Sequence, residues 1–362
     1  MRRIARAIVV SLASLAIAAD AQAPARSVVI ITMDGFRWQE MFGGADGAYF
    51  KKDKNGQATA IEKRYLRPTA EQRRALLLPF MWRDIAKQGQ IFGDPSRHSR
   101  AHLTNGLWFS YPGYNEMFSG AADRRINSND KIPNPNVTVL EWLNRQPGFE
   151  GKVAAFGAWD VLPSIVNTGR SRVPVGSGFM PVPSPKTERQ RAINEMAQDL
   201  PPYWEYGTFD APIVAAAIEC LRTDKPRVMY VMLGEGDEWA HEGRYDLYLD
   251  AAQRADRFIK RIWDTLQSLP EYRGQTTLLV TTDHGRGATV KDWMDHGRDV
   301  PAAESTWVAA IGAGVPALGV REAVTVTTAQ LAATIAAVVG QDFNAAAPNA
   351  AAALPGIGGV RK

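Results

Sequence analysis

Five short runs of apolar, β-branched residues recur along this chain, at residues 27–32, 152–156, 227–233, 276–282 and 306–311. Near-continuous apolar runs of that length suit strands buried on both faces, as in a parallel sheet covered by helices. Helical patterns lie between them. Leu247, Ala251, Ala255, Phe258, Ile259, Ile262 and Leu266 recur on one face, while Arg254, Arg257, Lys260 and Arg261 take the other. A second helix is expected over residues 328–339, ended by Gly340. Strands alternating with helices predict an α/β fold, a doubly wound, mostly parallel sheet sandwiched by helices. Residues 43–78, polar and basic, and residues 167–207, dense in Pro, Gly, Ser and Arg, break this rhythm. They are expected as irregular insertions over the rim of the sheet where the site lies. Residues 344–362 are mostly Ala, Pro and Gly and are expected as a loosely held, low-complexity tail.

The first residues read as a targeting segment. Arg2, Arg3 and Arg6 precede an apolar core at residues 7–19, and Ala21, Gln22 and Ala23 form an AxA cleavage site. The apolar core is too short to span a bilayer, which needs about 20 residues. Residues 1–23 are therefore expected to be a signal peptide, with periplasmic or secreted localisation and no transmembrane anchor after processing. Its removal takes three arginines and one aspartate, lowering the formal charge from +4 to +2. No basic run interleaved with aromatics remains, so no stable nucleic-acid partner is expected. The single cysteine, Cys220, excludes an internal disulfide and a cysteine-cluster metal site. Metal chemistry would have to use carboxylates and the five histidines.

In open α/β sheets ligands bind beyond the carboxyl ends of the strands. Three of the five runs end in aspartate: the first at Asp34, the third, through Gly234, Glu235 and Gly236, at Asp237, and the fourth at Asp283. One such residue is explained by a turn or a helix cap. Three carboxylates at one rim repel one another unless a cation sits among them. His241, His284 and His296 follow these aspartates, and mixed Asp and His donors suit zinc, although other divalent ions take the same donors. Six ligands are about what two ions require. His98 and His102, in the polar run RHSRAH, read as loop histidines without an assigned role. A nucleophile is sought in residues 109–120, where Ser110 opens an apolar-periodic stretch closed by Gly120. A helix N-terminus there would favour an oxyanion or a phosphate.

Taken in order, MDGF at Asp34, SYPGYNEMFSG at Ser110, GDEWAH at Asp237 and His241, TDHG at Asp283 and His284, and finally His296 resemble the alkaline phosphatase superfamily, nearest its nucleotide pyrophosphatase/phosphodiesterase branch. The order runs along residues 27–343 and implies one alkaline phosphatase-like catalytic domain over residues 24–343. It also implies two zinc ions per chain, one held by Asp34, Ser110, Asp283 and His284, the other by Asp237, His241 and His296. Ser110 would be the nucleophile, where that branch usually has threonine in a TxPN-like context. An asparagine downstream of the nucleophile usually holds a phosphoryl oxygen, which points to Asn129 with Asn127 as alternative. A sulfatase relative would carry SxPxR here, and Tyr114 occupies the arginine position.

The function these residues imply is an exported two-zinc phosphoric ester hydrolase, of phosphodiesterase or pyrophosphatase type. It would act on a small-molecule phosphate ester through a phosphoserine on Ser110. Two divalent ions against three aspartates leave about +1, which attracts an anionic phosphate. The alternatives are a phosphomonoesterase, a sulfate or phosphonate ester hydrolase, and a metal-holding periplasmic binding pseudoenzyme. Arg97, Arg100, Arg124, Arg125, Arg286 and Arg298 lie near the motifs without a named role, and Tyr49, Phe50, Phe179, Tyr203, Trp204 and Tyr206 are offered as pocket walls or packing.

Overall fold

The computed structural model describes residues 25–52 and 54–358. The expected signal peptide lies outside the described residues, and among these no helix is long and apolar enough to cross a membrane. Among the described residues eleven strands occur in chain order: β1 Ser27–Met33, β2 Gln90–Phe92, β3 Arg100–His102, β4 Val153–Gly157, β5 Val175–Ser177, β6 Val228–Leu233, β7 Thr276–Thr281, β8 Ser305–Thr306, β9 Val308–Gly312, β10 Gly319–Val320 and β11 Thr325–Thr327. Eight form one sheet in the order β10-β2-β9-β7-β1-β6-β4-β5, and β11-β3-β8 form a small second one. In the large sheet only β9 runs against the others, antiparallel to both β7 and β2.

The apolar runs become central strands because both faces are covered. Val29, Ile31 and Met33 point into one core with Met229, Val231 and Leu233, under the helices Asp210–Thr223 and Tyr245–Ser268. Val28 and Ile30 point the other way, with Tyr230 and Met232, towards the helices Ser110–Ser119 and Gln330–Val338. Alternate residues on each strand thus serve different layers. The register aligns the strand ends: Thr32 pairs with both Met232 and Thr281. The residues just after β7, β1 and β6 are therefore neighbours on one rim.

Several sequence expectations change in the structure. The run at residues 306–311 is divided, with Thr306 in the small sheet and Val308 onward in the large one. Trp307 separates them because its ring is fully buried and its Nε1 donates to the Phe36 carbonyl at 2.9 Å. Residues 43–78 are not irregular but carry the helices Ala60–Tyr65 and Ala70–Leu77, capped by Thr59 and Thr69. Residues 167–207 supply β5 and the helix Glu188–Gln198. The tail is not loose either. Leu354 and Ile357 are buried, Leu354 N donates to Thr334 Oγ1 at 2.8 Å, and Ala351 N donates to the Gly120 carbonyl at 2.8 Å.

Candidate metal centre and nucleophile

Asp34 follows β1 directly and Asp283 follows β7 by one residue, so the aligned register sets them side by side at the rim. With His284 they form a buried group whose candidate ligand atoms all lie within 4.8 Å of one another. His284 Nε2 is 3.4 Å from Asp34 Oδ1, 3.5 Å from Asp283 Oδ2 and 3.3 Å from Ser110 Oγ. Each side chain is oriented by its other polar atom. Tyr114 OH donates to Asp34 Oδ2 at 2.7 Å, Gly35 N donates to Asp283 Oδ1 at 3.1 Å, and His284 Nδ1 donates to the Gly285 carbonyl at 2.9 Å. Asp34 Oδ1 and Asp283 Oδ2 are left buried without a hydrogen-bond partner. Buried carboxylate oxygens in that condition are costly, and a cation among them removes the cost. The donor set fits a divalent ion.

The second group, Asp237, His241 and His296, lies beside the first and opens to the cleft. Asp237 and His241 belong to the helix Glu235–His241, whose turn brings residues four apart onto one face. His241 Nε2 is 3.1 Å from Asp237 Oδ2 and 3.1 Å from His296 Nε2. The side chains of Asp283 and His284 are 0% exposed, whereas that of His241 is 44% exposed, so the inner group is dry and the outer one wet. Asp34, Asp283 and His284 thus lie in one group and Asp237, His241 and His296 in another.

Electrostatics follow from this crowding. Burial, and then the neighbouring Asp34, push the Asp283 carboxyl well above the ordinary range. Burial works to lower His284, but Asp283, Asp34 and Asp237 outweigh it and hold the imidazole at about 9. Burial works to raise Asp237, yet Arg286 and His241 hold it well below the usual carboxylate range. Burial and the facing His284 keep His296 well below its ordinary value. Asp283 thus prefers a proton to a bare charge, the condition that a cation relieves.

Ser110 opens the Ser110–Ser119 helix, whose cap residue is Phe109, and Gly120 ends it in a left-handed conformation at φ 78°. The helix sits close to the rim because Gly113 has no side chain: a Cβ there would come within 2.5 Å of the Asp283 carbonyl oxygen. Gly35 is needed in the same way. Its φ is +57°, and a Cβ would meet Asp237 Oδ1 at 2.6 Å and Arg286 Nε at 2.9 Å.

A cleft of about 610 Å³ leads to Asp34, Ser110, Asp237, His241 and His296 and is walled by Asn129, Asp130, Lys131, Trp159, Tyr206 and Glu238. Asn129, which lines the cleft, accepts at Oδ1 from Tyr111 N at 3.0 Å. The alternative Asn127 is exposed and is not among the residues that line the cleft. His98 and His102 do not line the cleft, His102 being paired into the small sheet. Of the aromatics offered as walls only Tyr206 does so, while Trp204 is buried in the core. Among the six arginines Arg286 alone enters the centre; Arg97 and Arg125, for instance, pair with Glu322 and Asp123 at the surface. Sequence reasoning gave no role to Tyr114 or Arg286. The signal for Tyr114 was its place four residues after Ser110, on the same helix face.

The family model described as the metalloenzyme superfamily matches residues 204–341, a span containing Asp237, His241, Asp283, His284 and His296. No curated protein sequence matches the chain. Among solved structures, a protein in the alkaline phosphatase superfamily from Vibrio parahaemolyticus is similar at TM-score 0.52 and 13% identity, covering 89% of this chain and 68% of that one. The phosphonate monoester hydrolase of Agrobacterium radiobacter gives 0.55 and 14%, over 88% and 74%. Murine ectonucleotide pyrophosphatase/phosphodiesterase 5, in complex with AMP, gives 0.53 and 12%, over 87% and 95%. At these identities the likeness is one of fold. The chain therefore carries a metalloenzyme superfamily segment within an α/β fold that it shares with the alkaline phosphatase superfamily.

Proposed function

We propose that this chain is an exported, two-zinc phosphoric ester hydrolase of phosphodiesterase or pyrophosphatase type, acting through a phosphoserine on Ser110. The observation that carries this reading is the position of Ser110 Oγ, 3.3 Å from His284 Nε2, beside two ligand groups whose inner carboxylate oxygens lack partners. Asp34, Asp283 and His284, with Ser110, would hold one ion, and Asp237, His241 and His296 the other. Divalent ions there would lower the pKa of the serine hydroxyl and offset charge developing on the leaving oxygen.

The chain's own groups do the rest. Asn129 presents its amide nitrogen to a non-bridging phosphoryl oxygen. Ser110 Oγ gives up its proton to solvent and forms a bond to phosphorus as the bond to the leaving alkoxide breaks, and the leaving oxygen takes a proton from solvent. Water then cleaves the Oγ–phosphorus bond, releasing phosphate or a phosphate monoester and restoring the serine. Tyr114 and the Gly35 amide keep Asp34 and Asp283 oriented throughout.

Diesters are favoured over monoesters by the cleft walls. Beyond the ligands, the cleft lining carries the acidic Asp130 and Glu238 and one cation, Lys131, which pairs with Asp160 at 2.7 Å. A diester monoanion needs less compensating charge than a monoester dianion. The test is turnover of bis-p-nitrophenyl phosphate and p-nitrophenyl phosphate by zinc-loaded wild type and Ser110→Ala. The wild type should prefer the diester, and the variant should lose at least about a thousandfold in kcat while keeping its zinc. Negligible turnover of both substrates by wild type, or full activity in the variant, would remove this reading.

A further inference from the structure

We infer that Arg286 is a positioning residue for the outer ligand group, the buried clamp that holds Asp237 and His296 together. The inference rests on the two-ion reading above and concerns which of the two sites a single side chain serves.

The Arg286 side chain is fully buried, and a buried guanidinium needs a carboxylate and acceptors; its Nε has none, so its two Nη atoms carry the bonding. Its Nη2 donates to Asp237 Oδ1 and, at 3.1 Å, to the Asp237 carbonyl oxygen. Its Nη1 donates to the carbonyl of Met294, two residues before His296. One planar group therefore ties the helix that supplies Asp237 and His241 to the loop that supplies His296. No other hydrogen bond or ion pair among the described residues joins the Met294 segment to that helix through a buried cation.

The two groups differ in what orients their histidines. In the inner group His284 Nδ1 donates to the Gly285 carbonyl at 2.9 Å, which fixes the ring. In the outer group His296 Nδ1 is buried and has no partner. Ligating histidines nearly always have such a partner on the second nitrogen. The His296 ring, its centroid 4.0 Å from that of His284, has no hydrogen bond at Nδ1, and its loop is closed by Gly287 N donating to the Asp295 carbonyl at 3.1 Å and by Arg286 on Met294. The near end of the loop is already fixed elsewhere: Arg37 Nη1 donates to the Gly287 carbonyl at 2.8 Å and Tyr49 OH to the Ala288 carbonyl at 2.9 Å. Arg286 remains the link between that fixed loop and Asp237. By holding Oδ1, the oxygen 3.8 Å from His296 Nε2, it also leaves Asp237 Oδ2 free of the guanidinium, 3.1 Å from His241 Nε2.

Charge alone argues the other way, since a guanidinium beside Asp237 repels a divalent ion. The two effects have opposite signs and can be separated. Arg286→Lys keeps the charge but offers one ammonium in place of a fork that reaches three acceptors, and Arg286→Met removes both.

The experiment strips metal from the full chain and titrates Zn2+ against a chromophoric chelator to obtain two dissociation constants. His241→Ala, which lacks an outer ligand, identifies which constant belongs to the outer group. Positioning predicts that the outer constant rises about 10- to 100-fold in both Arg286 variants, with the inner constant within threefold of wild type. Unchanged constants, a tighter outer site in Arg286→Met, or equal weakening of both sites would overturn the inference. So would failure of both variants to fold, which would make Arg286 a requirement of the fold. Fewer than two ions on wild type would instead count against the proposed function.

Discussion

Tyr114 contributes one hydroxyl, and that hydroxyl decides which Asp34 oxygen is left for a cation. In Tyr114→Phe, Asp34 Oδ2 loses its 2.7 Å donor inside a buried site. Zinc affinity of the inner group should fall about 10- to 100-fold, read by the same chelator competition. His284 gives a pH prediction. With no ion bound its imidazole is held at about 9, the buried carboxylates around it outweighing burial, against about 6.5 in the unfolded chain. A group raised in this way contributes stability that is complete below its unfolded value and disappears as pH climbs through the folded one. Urea unfolding of the chelator-treated protein should therefore show stability falling between about pH 6.5 and 9. Zinc uptake should strengthen over the same window, because the ring must be neutral to ligate. A flat stability profile would refute the first part. At this scale the aspartates and histidines other than His296 were legible because each follows a strand or shares a helix turn with another ligand. Tyr114 and Arg286 were not, since their roles depend on which oxygen of a distant carboxylate they reach.

The helix that opens with Ser110 is held against the sheet rim by a residue with no side chain. Helix propensity alone would favour Gly113→Ala by about 1 kcal/mol. Packing opposes it, because the new Cβ would lie 2.5 Å from a backbone oxygen of Asp283, and overpacking of this kind costs about 1–3 kcal/mol. The variant should melt lower than wild type and lose turnover as the helix backs away from the rim, by calorimetry and steady-state assay. A higher melting temperature would mean that the rim yields. Elements were readable where they are long and buried: β1, β6 and β7 follow their apolar runs closely, and the Tyr245–Ser268 helix follows its stripe. The two- and three-residue strands β2, β3, β5, β8, β10 and β11 carry no period to detect. Their pairing is decided by partners far along the chain.

For the molecule as a whole, the C-terminal segment closes one layer of the sandwich. Its Ala, Pro and Gly composition resembles a linker, but Leu354 and Ile357 are each only 2% exposed and pack into the core that holds the Gln330–Val338 helix. Leu354→Ala should cost about 2–5 kcal/mol in chemical denaturation. A change near zero would mean that the segment only rests on the surface. Composition misled here because two apolar residues anchor the described part of the stretch, up to residue 358. The unequal shielding of the two ligand groups has a consequence for supply. An ion held among the buried Asp283 and His284 would leave more slowly than one beside the half-exposed His241. Starving the chain of metal would accordingly silence it in stages, first by a quick and reversible loss and then by a slow one. Isotope-labelled zinc chased with unlabelled metal should leave in two phases.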